Sequence, residues 1–202
     1  MTVAATLMSL DDFFAYDDGT DTLYELENGE LIATSSESDR NRRIAVILSA
    51  YFLQAGIGPE CLRMKTEVTV LGARSTVRLP DLMVLSDELA IPGRIASRIA
   101  LENAPRSTVT IDMPPPQLVV EVVSPGKKNS DRDYRYKRSQ YEARGIAEYW
   151  IVDPILQKVT VLTLVEGLYE AAIFEGEADI TSALLTELAS AKRLTATQLL
   201  NP

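Results

Sequence analysis

The chain has 202 residues, 46% of them hydrophobic and 24% charged, with a formal net charge of −9. This composition fits one globular domain, which we predict over residues 1–202. The sequence contains no histidine, which excludes Ser-His-Asp and Cys-His catalysis and His-ligated zinc, so any metal should be a hard cation bound by oxygen.

The chain also predicts a cytoplasmic protein without a membrane segment. Cys61 is the only cysteine, so no internal disulfide can form, as expected in a reducing compartment. No apolar run approaches the roughly 20 residues that span a bilayer. The start of the chain lacks the basic region of a secretory signal.

The first predicted elements are a short helix and a β-hairpin. Residues 8–16 indicate the helix, with Ser9 as its N-cap. Residues 22–34 carry two strand patterns around Asn28-Gly29, a pair of residues typical of tight hairpin turns.

A long amphipathic helix is predicted next. Ser38 or Asp39 can cap its N-terminus, and Gly56 and Gly58 are expected to end it. One face should pack on the core, because apolar side chains recur at helical spacing. These side chains are Ile44, Ile47, Leu48, Tyr51 and Phe52.

The middle of the chain predicts strands and an irregular segment. Residues 67–72 and 75–87 indicate two strands joined by a Gly-containing turn. Residues 88–116 contain five prolines and Gly93 and indicate a surface excursion with one helical turn. Residues 117–125 predict an apolar, buried strand that ends at Ser-Pro-Gly.

The last part of the chain predicts a helix, a buried strand and a hairpin, followed by a small strand and helix. The whole order indicates a mixed α/β domain whose sheet is backed by helices. In chain order these predicted elements are the helix 130–145, the strand 148–154, the hairpin strands 158–165 and 168–174, and the mixed segment 186–200.

Two acidic residues lie inside apolar strands. Asp81 follows Pro80 in RLPDLMVL, and Glu121 is in the middle of LVVEVV. A buried, unpaired carboxylate is costly, so the pair is best explained if the two acids face each other across a shared cation. For either acid alone the alternative is structural: a strand break at Pro80-Asp81, or an ion pair of Glu121 with an arginine such as Arg78.

The helix after the Glu121 strand carries a candidate cationic group. Tyr134, Lys137 and Tyr141 form a stripe at i, i+3 and i+7 that should face the sheet, and Asp133 precedes Lys137 by four residues. One interpretation is an exposed Asp–Lys pair with Lys137 extending into water. The other is that Lys137 reaches the two acids and polarises a phosphate or positions an attacking water. The sequence leaves both open.

Charge is unevenly distributed along the chain. Residues 1–30 are acidic, and residues 124–144 are locally basic. The net charge argues against a protein that coats nucleic acid indiscriminately, whereas the basic stretch can place a positive face beside the acids. Such charge runs are more often solvated surfaces.

Several motifs together resemble the Uma-two family of restriction-endonuclease-like proteins. The hairpin YELENGEL (24–31) is similar to that family's opening motif, and the similarity runs from about residue 8 to the C-terminus. The other matching motifs are Leu79-Pro80-Asp81, VVEVVSP (119–125), Asp133-xxx-Lys137-xxx-Tyr141-xxx-Gly145 and EYWIVDP (148–154).

The resemblance implies the α/β restriction-endonuclease-like fold of the PD-(D/E)xK nuclease superfamily. That fold is a mixed β-sheet flanked by α-helices, here with an additional N-terminal β-hairpin and helix. The inherited chemistry is metal-dependent hydrolysis of phosphodiester bonds, in DNA by family analogy. Related folds often need two active sites for two strands, so a homodimer is also implied.

The resemblance also implies roles for individual residues. Asp81 and Glu121 would bind magnesium or manganese, and Val122 would offer its backbone carbonyl as a further ligand. Lys137 would replace the lysine that the superfamily usually places two residues after the glutamate, where this chain has Val123.

Three further residues are additional candidates: Glu25, Asp133 and Asn41. Glu25 would add another acidic group. Asn41 stands where the family often has a histidine, and an amide can hydrogen-bond but cannot relay a proton. The alternative function is therefore a catalytically weak or inactive nucleic-acid-binding or regulatory domain that keeps the nuclease fold. A third interpretation is that the protein is an interaction module whose buried acids are purely structural.

Overall fold

The computed structural model describes residues 7–34, 38–90, 107–188 and 192–201. Within these ranges the chain folds into two β-sheets and several helices. The helices are α1 (Leu10–Phe14), α2 (Asp39–Ala55), α3 (Asp87–Ala90), α4 (Lys127–Asp131), α5 (Arg138–Arg144), α6 (Ala183–Glu187) and α7 (Ala196–Leu200), and a π-helical segment (Arg132–Lys137) joins α4 to α5. The strands are β1 (Tyr24–Glu27), β2 (Glu30–Ala33), β3 (Leu62–Arg63), β4 (Glu67–Val70), β5 (Thr76–Arg78), β6 (Leu82–Val84), β7 (Thr108–Val109), β8 (Leu118–Val122), β9 (Glu148–Asp153), β10 (Lys158–Val165) and β11 (Leu168–Glu175).

The first sheet has the strand order β2-β1-β5-β4-β7 and contains the predicted N-terminal hairpin. Asn28 and Gly29 have φ values of 52° and 87°, the left-handed conformation that a two-residue hairpin turn requires. Helix α1 precedes the hairpin, and Ser9 is its N-cap in a reciprocal arrangement with Asp12. The predicted short helix and hairpin are therefore confirmed.

The second sheet has the strand order β11-β10-β9-β8-β6-β3. Strands β8 and β9 are parallel, and the segment from α4 to α5 makes the crossover between them. One face of this sheet packs against α2, α6 and α7, through side chains such as Leu48, Val120 and Leu199. The opposite face contacts α5 and the first sheet, where Val119 and Val123 join the cluster that contains Tyr141. Alternate residues of β8 thus enter two cores, as the apolar sequence predicts.

The predicted single strand over residues 75–87 is wrong. The chain forms β5 in the first sheet and β6 in the second, and residues 79–81 pass from one sheet to the other. Pro80 lacks the backbone N–H that a continuous ladder would use. The break places Asp81 where the two sheets meet.

The other predicted elements mostly appear, with shifted bounds. The helix predicted over 130–145 begins at Lys127 and ends at Gly145, whose φ is 78°. The predicted small C-terminal strand is reduced to an isolated bridge between Asp179 and Thr195, and α7 is the predicted helix. Helix α3 supplies the helical turn expected within 88–116, whereas residues 91–106 lie outside the described residues. No helix in the described ranges is long and apolar enough to cross a membrane. The single-domain assignment stays a prediction.

Candidate metal centre

A small cavity of about 60 Å³ lies where the two sheets meet. It brings together every site residue predicted from the sequence, although their chemical roles stay predictions. These predicted residues are Glu25, Asn41, Asp81, Glu121, Val122, Asp133 and Lys137. The cavity is also lined by Thr34, Lys65, Leu79, Ser124 and Arg132.

Asp81 and Glu121 lie side by side at one end of the second sheet. Leu82 is directly opposite Val120 in the antiparallel pair of β6 and β8. One step along, Asp81 therefore comes next to Glu121, on the same face. The backbone N–H of Val122 donates to Asp81 Oδ2 at 2.6 Å, and the Lys65 ammonium donates to Asp81 Oδ1.

Glu121 is held by groups from the helical crossover. Tyr141 Oη donates to Glu121 Oε1 at 2.7 Å, and Lys137 Nζ lies 2.8 Å from Glu121 Oε2. The alternative ion pair with Arg78 is wrong, because that guanidinium binds Glu25 and Glu27. Burial raises the pKa of Glu121 to about 7 even though Lys137 opposes the rise.

Lys137 is surrounded by carboxylates. Its ammonium lies 2.8 Å from Glu121, 3.3 Å from Glu25 and 3.5 Å from Asp133. Only 3% of Lys137 and 4% of Asp133 are exposed, so the interpretation as an exposed pair on the helix surface is wrong. Burial alone would lower the pKa of Lys137, but the three carboxylates raise it overall. The lysine is thus charged, and it is fixed in place.

Glu25 links the first sheet to the cavity. It projects from β1, accepts a hydrogen bond from the Leu79 backbone N–H at 3.1 Å, and pairs with Arg78 Nη1 at 3.0 Å. Burial acts to raise the pKa of Glu25, but Lys137 and Arg78 outweigh it and lower the pKa to about 2. Glu25 is therefore an ionised counter-charge for Lys137.

The π-helical segment brings Arg132 to the same cavity as Lys137. In an α-helix, residues five apart point about 140° away from each other. The i→i+5 hydrogen bonds of a π-helix instead bring such residues close to one face, and π segments are frequent at functional sites. Arg132 Nη1 lies 4.0 Å from Glu25, and Arg132 Nε is buried without a hydrogen-bond partner in the described part of the chain.

Asn41 reaches the cavity from the first turn of α2. Its Nδ2 lies 3.3 Å from the Val122 carbonyl oxygen and 3.3 Å from Ser124 Oγ. Ser38 Oγ donates to Asn41 Oδ1, which fixes the amide orientation. Asn41 therefore anchors the end of β8, including the carbonyl predicted as a metal ligand.

The donor set fits a hard divalent cation in its chemistry. Asp81 and Glu121 supply carboxylate oxygens and Val122 a carbonyl, which magnesium and manganese prefer. Across the described ranges, no three Asp, Glu or Cys side chains form a complete metal site, so the fit rests on two carboxylates and one carbonyl. A carboxylate oxygen can accept more than one partner, so the existing hydrogen bonds leave room for coordination.

Sequence reasoning missed Lys65, Arg132 and the contact of Tyr141 with Glu121. No pattern around Lys65 indicates that it approaches Asp81. An α-helical projection places Arg132 about 140° away from Lys137. The π segment turns Arg132 towards the cavity that Lys137 lines. The helical stripe predicts that Tyr141 faces the sheet, and the signal that could have found its partner is that a buried phenol needs a polar group to bind.

A larger cavity of about 650 Å³ lies at the other end of β8, beside Gln117. Its described lining includes Cys61 and acidic side chains such as Glu187, and contains no lysine or arginine. The small cavity is the better candidate site, because it combines buried acids with cationic side chains that can contact a phosphate.

Tyr141→Phe tests how firmly Glu121 is held. Removing the hydroxyl leaves a buried carboxylate with one donor fewer, so we expect the free energy of unfolding to fall by about 1–3 kcal/mol. Urea denaturation measures the change. Tyr136→Phe is the matched control in the same helical stretch, because Tyr136 is 55% exposed. Equal effects of the two variants would contradict the assigned hydrogen bond.

Comparisons with known proteins agree with this architecture. The profile of the Uma2 family, described as "Putative restriction endonuclease", matches residues 10–196. A crystal structure of a "putative nuclease belonging to DUF820" from Anabaena variabilis ATCC 29413 superimposes with a TM-score of 0.66 and 16% sequence identity, covering 96% of this chain and 97% of the other. None of the curated proteins matches. The mixed α/β fold is thus shared with that structure, and the match over nearly the whole chain shows that this protein belongs to the Uma2 family.

Proposed function

We propose that this protein is a metal-dependent endonuclease that hydrolyses phosphodiester bonds in DNA. The observation that carries the proposal is the meeting of Asp81, Glu121 and a buried, charged Lys137 in one cavity. Membership of the family described as "Putative restriction endonuclease" supports the chemistry. The similar structure described as a "putative nuclease" supports the scaffold.

Asp81, Glu121 and the Val122 carbonyl would hold magnesium or manganese. Such a cation, when bound, acidifies a water molecule and neutralises charge on the scissile phosphate. Tyr141 keeps the Glu121 carboxylate oriented through its hydrogen bond to Oε1. Asn41 keeps the end of β8 in place through the Val122 carbonyl and Ser124.

Lys137 is the residue that would stabilise developing charge on the phosphate. Glu25 and Asp133 hold its ammonium beside Glu121, so the positive charge is oriented before substrate binds. A preoriented cation in a site shielded from water stabilises a transition state more than a mobile one does. Glu25 and Asp133 are positioning residues in this proposal.

The cationic side chains at the cavity mouth suit a polyanionic substrate. The side chains of Lys65 and Arg132 are 33% and 24% exposed, whereas that of Lys137 is 4% exposed. Because the whole chain carries a net charge of −9, favourable contacts with phosphates must come from such local groups. We place the activity in the cytoplasm, in a homodimer whose two sites act on the two strands of DNA.

Titration with manganese tests the metal site. At a free concentration about 100-fold above the dissociation constant, Mn²⁺ should raise the free energy of unfolding by about 2.7 kcal/mol. Asp81→Asn and Glu121→Gln should lose this stabilisation, because each removes a charged ligand. Glu170→Gln, a substitution of an exposed glutamate on β11, should keep it. Stabilisation that survives in Asp81→Asn would argue against the site.

A cleavage assay on supercoiled plasmid in Mn²⁺ extends the same test to activity. The wild-type protein should convert the plasmid to nicked and linear forms, and Glu121→Gln should not. Linear product without accumulation of the nicked form would indicate coupled cutting of both strands, as expected of a homodimer. The absence of any cleavage by the wild-type protein would remove the endonuclease proposal.

A non-catalytic nucleic-acid-binding domain is the second candidate. One observation favours it: lysine ammoniums contact both proposed metal-binding carboxylates. Under this alternative the acids are structural partners of the lysines. DNA binding without Mn²⁺-dependent cleavage or stabilisation would support it.

A further inference from the structure

Two lysines contact the proposed metal ligands, but they are held in different ways. Lys137 is buried among three carboxylates. Lys65 contacts Asp81 from the turn between β3 and β4, and one third of its side chain is exposed. The Lys137 side chain is thus enclosed, whereas part of the Lys65 side chain is open to solvent.

The backbone directs Lys65 towards Asp81. Lys65 has a φ of 48°, a left-handed conformation that is unfavourable for a residue with a Cβ atom. Strand β3 pairs with β6 through Arg63 and Met83, which places the turn beside the start of β6. The surrounding strands therefore keep the turn in a conformation that aims an ammonium at a carboxylate of the site.

Access to solvent is the second consideration. Among the cationic side chains that line the cavity, Lys65 has the largest exposed fraction. A partly exposed ammonium that leaves its carboxylate regains water as a partner, whereas a buried one does not. Lys65 is therefore the cation of this cavity that an incoming divalent ion can displace most readily.

We propose that Lys65 is a displaceable counter-ion of Asp81, which competes with the divalent cation and so sets the affinity of the site. The inference rests on the proposed metal site and adds a residue that opposes metal binding. An ammonium and a divalent ion repel each other, and both are attracted to the same carboxylate oxygen. Removing the ammonium should therefore strengthen cation binding even though it removes a contact that stabilises the protein.

Lys65→Met is the decisive variant, measured with Mn²⁺ alone by isothermal titration calorimetry. We expect the dissociation constant to fall by about three- to tenfold, a modest factor because the side chain is partly solvated. In EDTA the same variant should melt at a lower temperature than the wild type, since Asp81 loses its contact with the Lys65 ammonium. A simple packing defect would weaken both properties. Tighter Mn²⁺ binding together with a lower melting temperature in EDTA is therefore specific to competition.

Two further variants complete the test. Lys65→Arg keeps the positive charge and should bind Mn²⁺ with nearly wild-type affinity. Lys127→Met removes an equivalent charge from the exposed first turn of α4 and should change the affinity by less than Lys65→Met does. If the wild type binds Mn²⁺ and Asp81→Asn does not, the metal site stands. Equal or weaker Mn²⁺ binding by Lys65→Met would then overturn this inference alone. Failure of both the wild type and Lys65→Met to bind Mn²⁺ would overturn the inference together with the proposed metal site.

Discussion

Lys137→Met is expected to lower the free energy of unfolding by about 3–5 kcal/mol, because it leaves buried carboxylates without their counter-ion. Methionine is close to lysine in length and can fill much of the same space, so the loss should report on charge more than on packing. Glu121, Glu25 and Asp133 all lie within 3.5 Å of the ammonium. Urea denaturation in EDTA measures the change, and DNA cleavage should fall with it.

A double-mutant cycle separates the charge effect from general disruption. Glu121→Gln removes one of the carboxylates that Lys137 neutralises, so Lys137→Met should cost less in that background than in the wild type. Lys127→Met is the control for the same substitution on an exposed turn and should change stability by about 0.5 kcal/mol or less. A loss of that small size in Lys137→Met itself would contradict the buried cluster.

The effect of Lys137→Met should also depend on pH. The pKa of Glu121 is about 7 in the folded protein, above its ordinary value of 4.5. The folded state therefore keeps a proton that the unfolded state releases, and stability falls as the pH rises through this window. Without Lys137 the pKa should rise further, so the fall extends to higher pH. The loss measured in EDTA should therefore be larger at pH 8 than at pH 6.

Arg78→Met is the second substitution expected to have a large effect, again about 3–5 kcal/mol. Arg78 is fully buried and joins three partners: Nη1 contacts Glu25 and Glu27 at 3.0 and 3.1 Å, and Nε donates to Gln140 at 2.8 Å. Its removal leaves Glu25 with less neutralising charge, so the pKa of Glu25 should rise from about 2. Urea denaturation gives the stability change.

Arg74→Met is the matched control, since Arg74 is exposed and lies four residues earlier on the approach to β5. It should leave stability nearly unchanged. Arg78→Lys should recover only part of the loss, because a lysine ammonium cannot reproduce the forked contacts of a guanidinium. Full recovery by lysine would show that charge alone matters at this position.

Local sequence signals predicted most of the elements correctly. Asn28-Gly29 predicts the turn of the hairpin, and Ser38 and Gly56 predict the two ends of the long helix. These features depend on residues next to each other in the chain, where backbone preferences decide the outcome. The prediction of one continuous strand over 75–87 is wrong because strand propensity does not reveal which sheet each half of the segment joins.

The acidic half of the site could be predicted, whereas its cationic half could be predicted only in part. Asp81 and Glu121 are conspicuous because carboxylates are unusual inside apolar strands. The helical stripe indicates that Lys137 lies on the face towards the sheet, but the sequence leaves open whether its ammonium reaches the acids or extends into water. Lys65 and Arg132 look like ordinary surface residues in sequence, and only tertiary contacts bring them to the cavity.

The π-helical segment makes the site sensitive to the length of the crossover. Each residue added to or removed from a helix turns everything beyond it by about 100°. A deletion of one residue within 132–137 would therefore rotate α5 relative to the residues before the deletion, so the side chains on its two sides could not all keep their places beside the two acids. The length of the crossover, and not only the identity of its residues, thus decides which side chains meet Asp81 and Glu121.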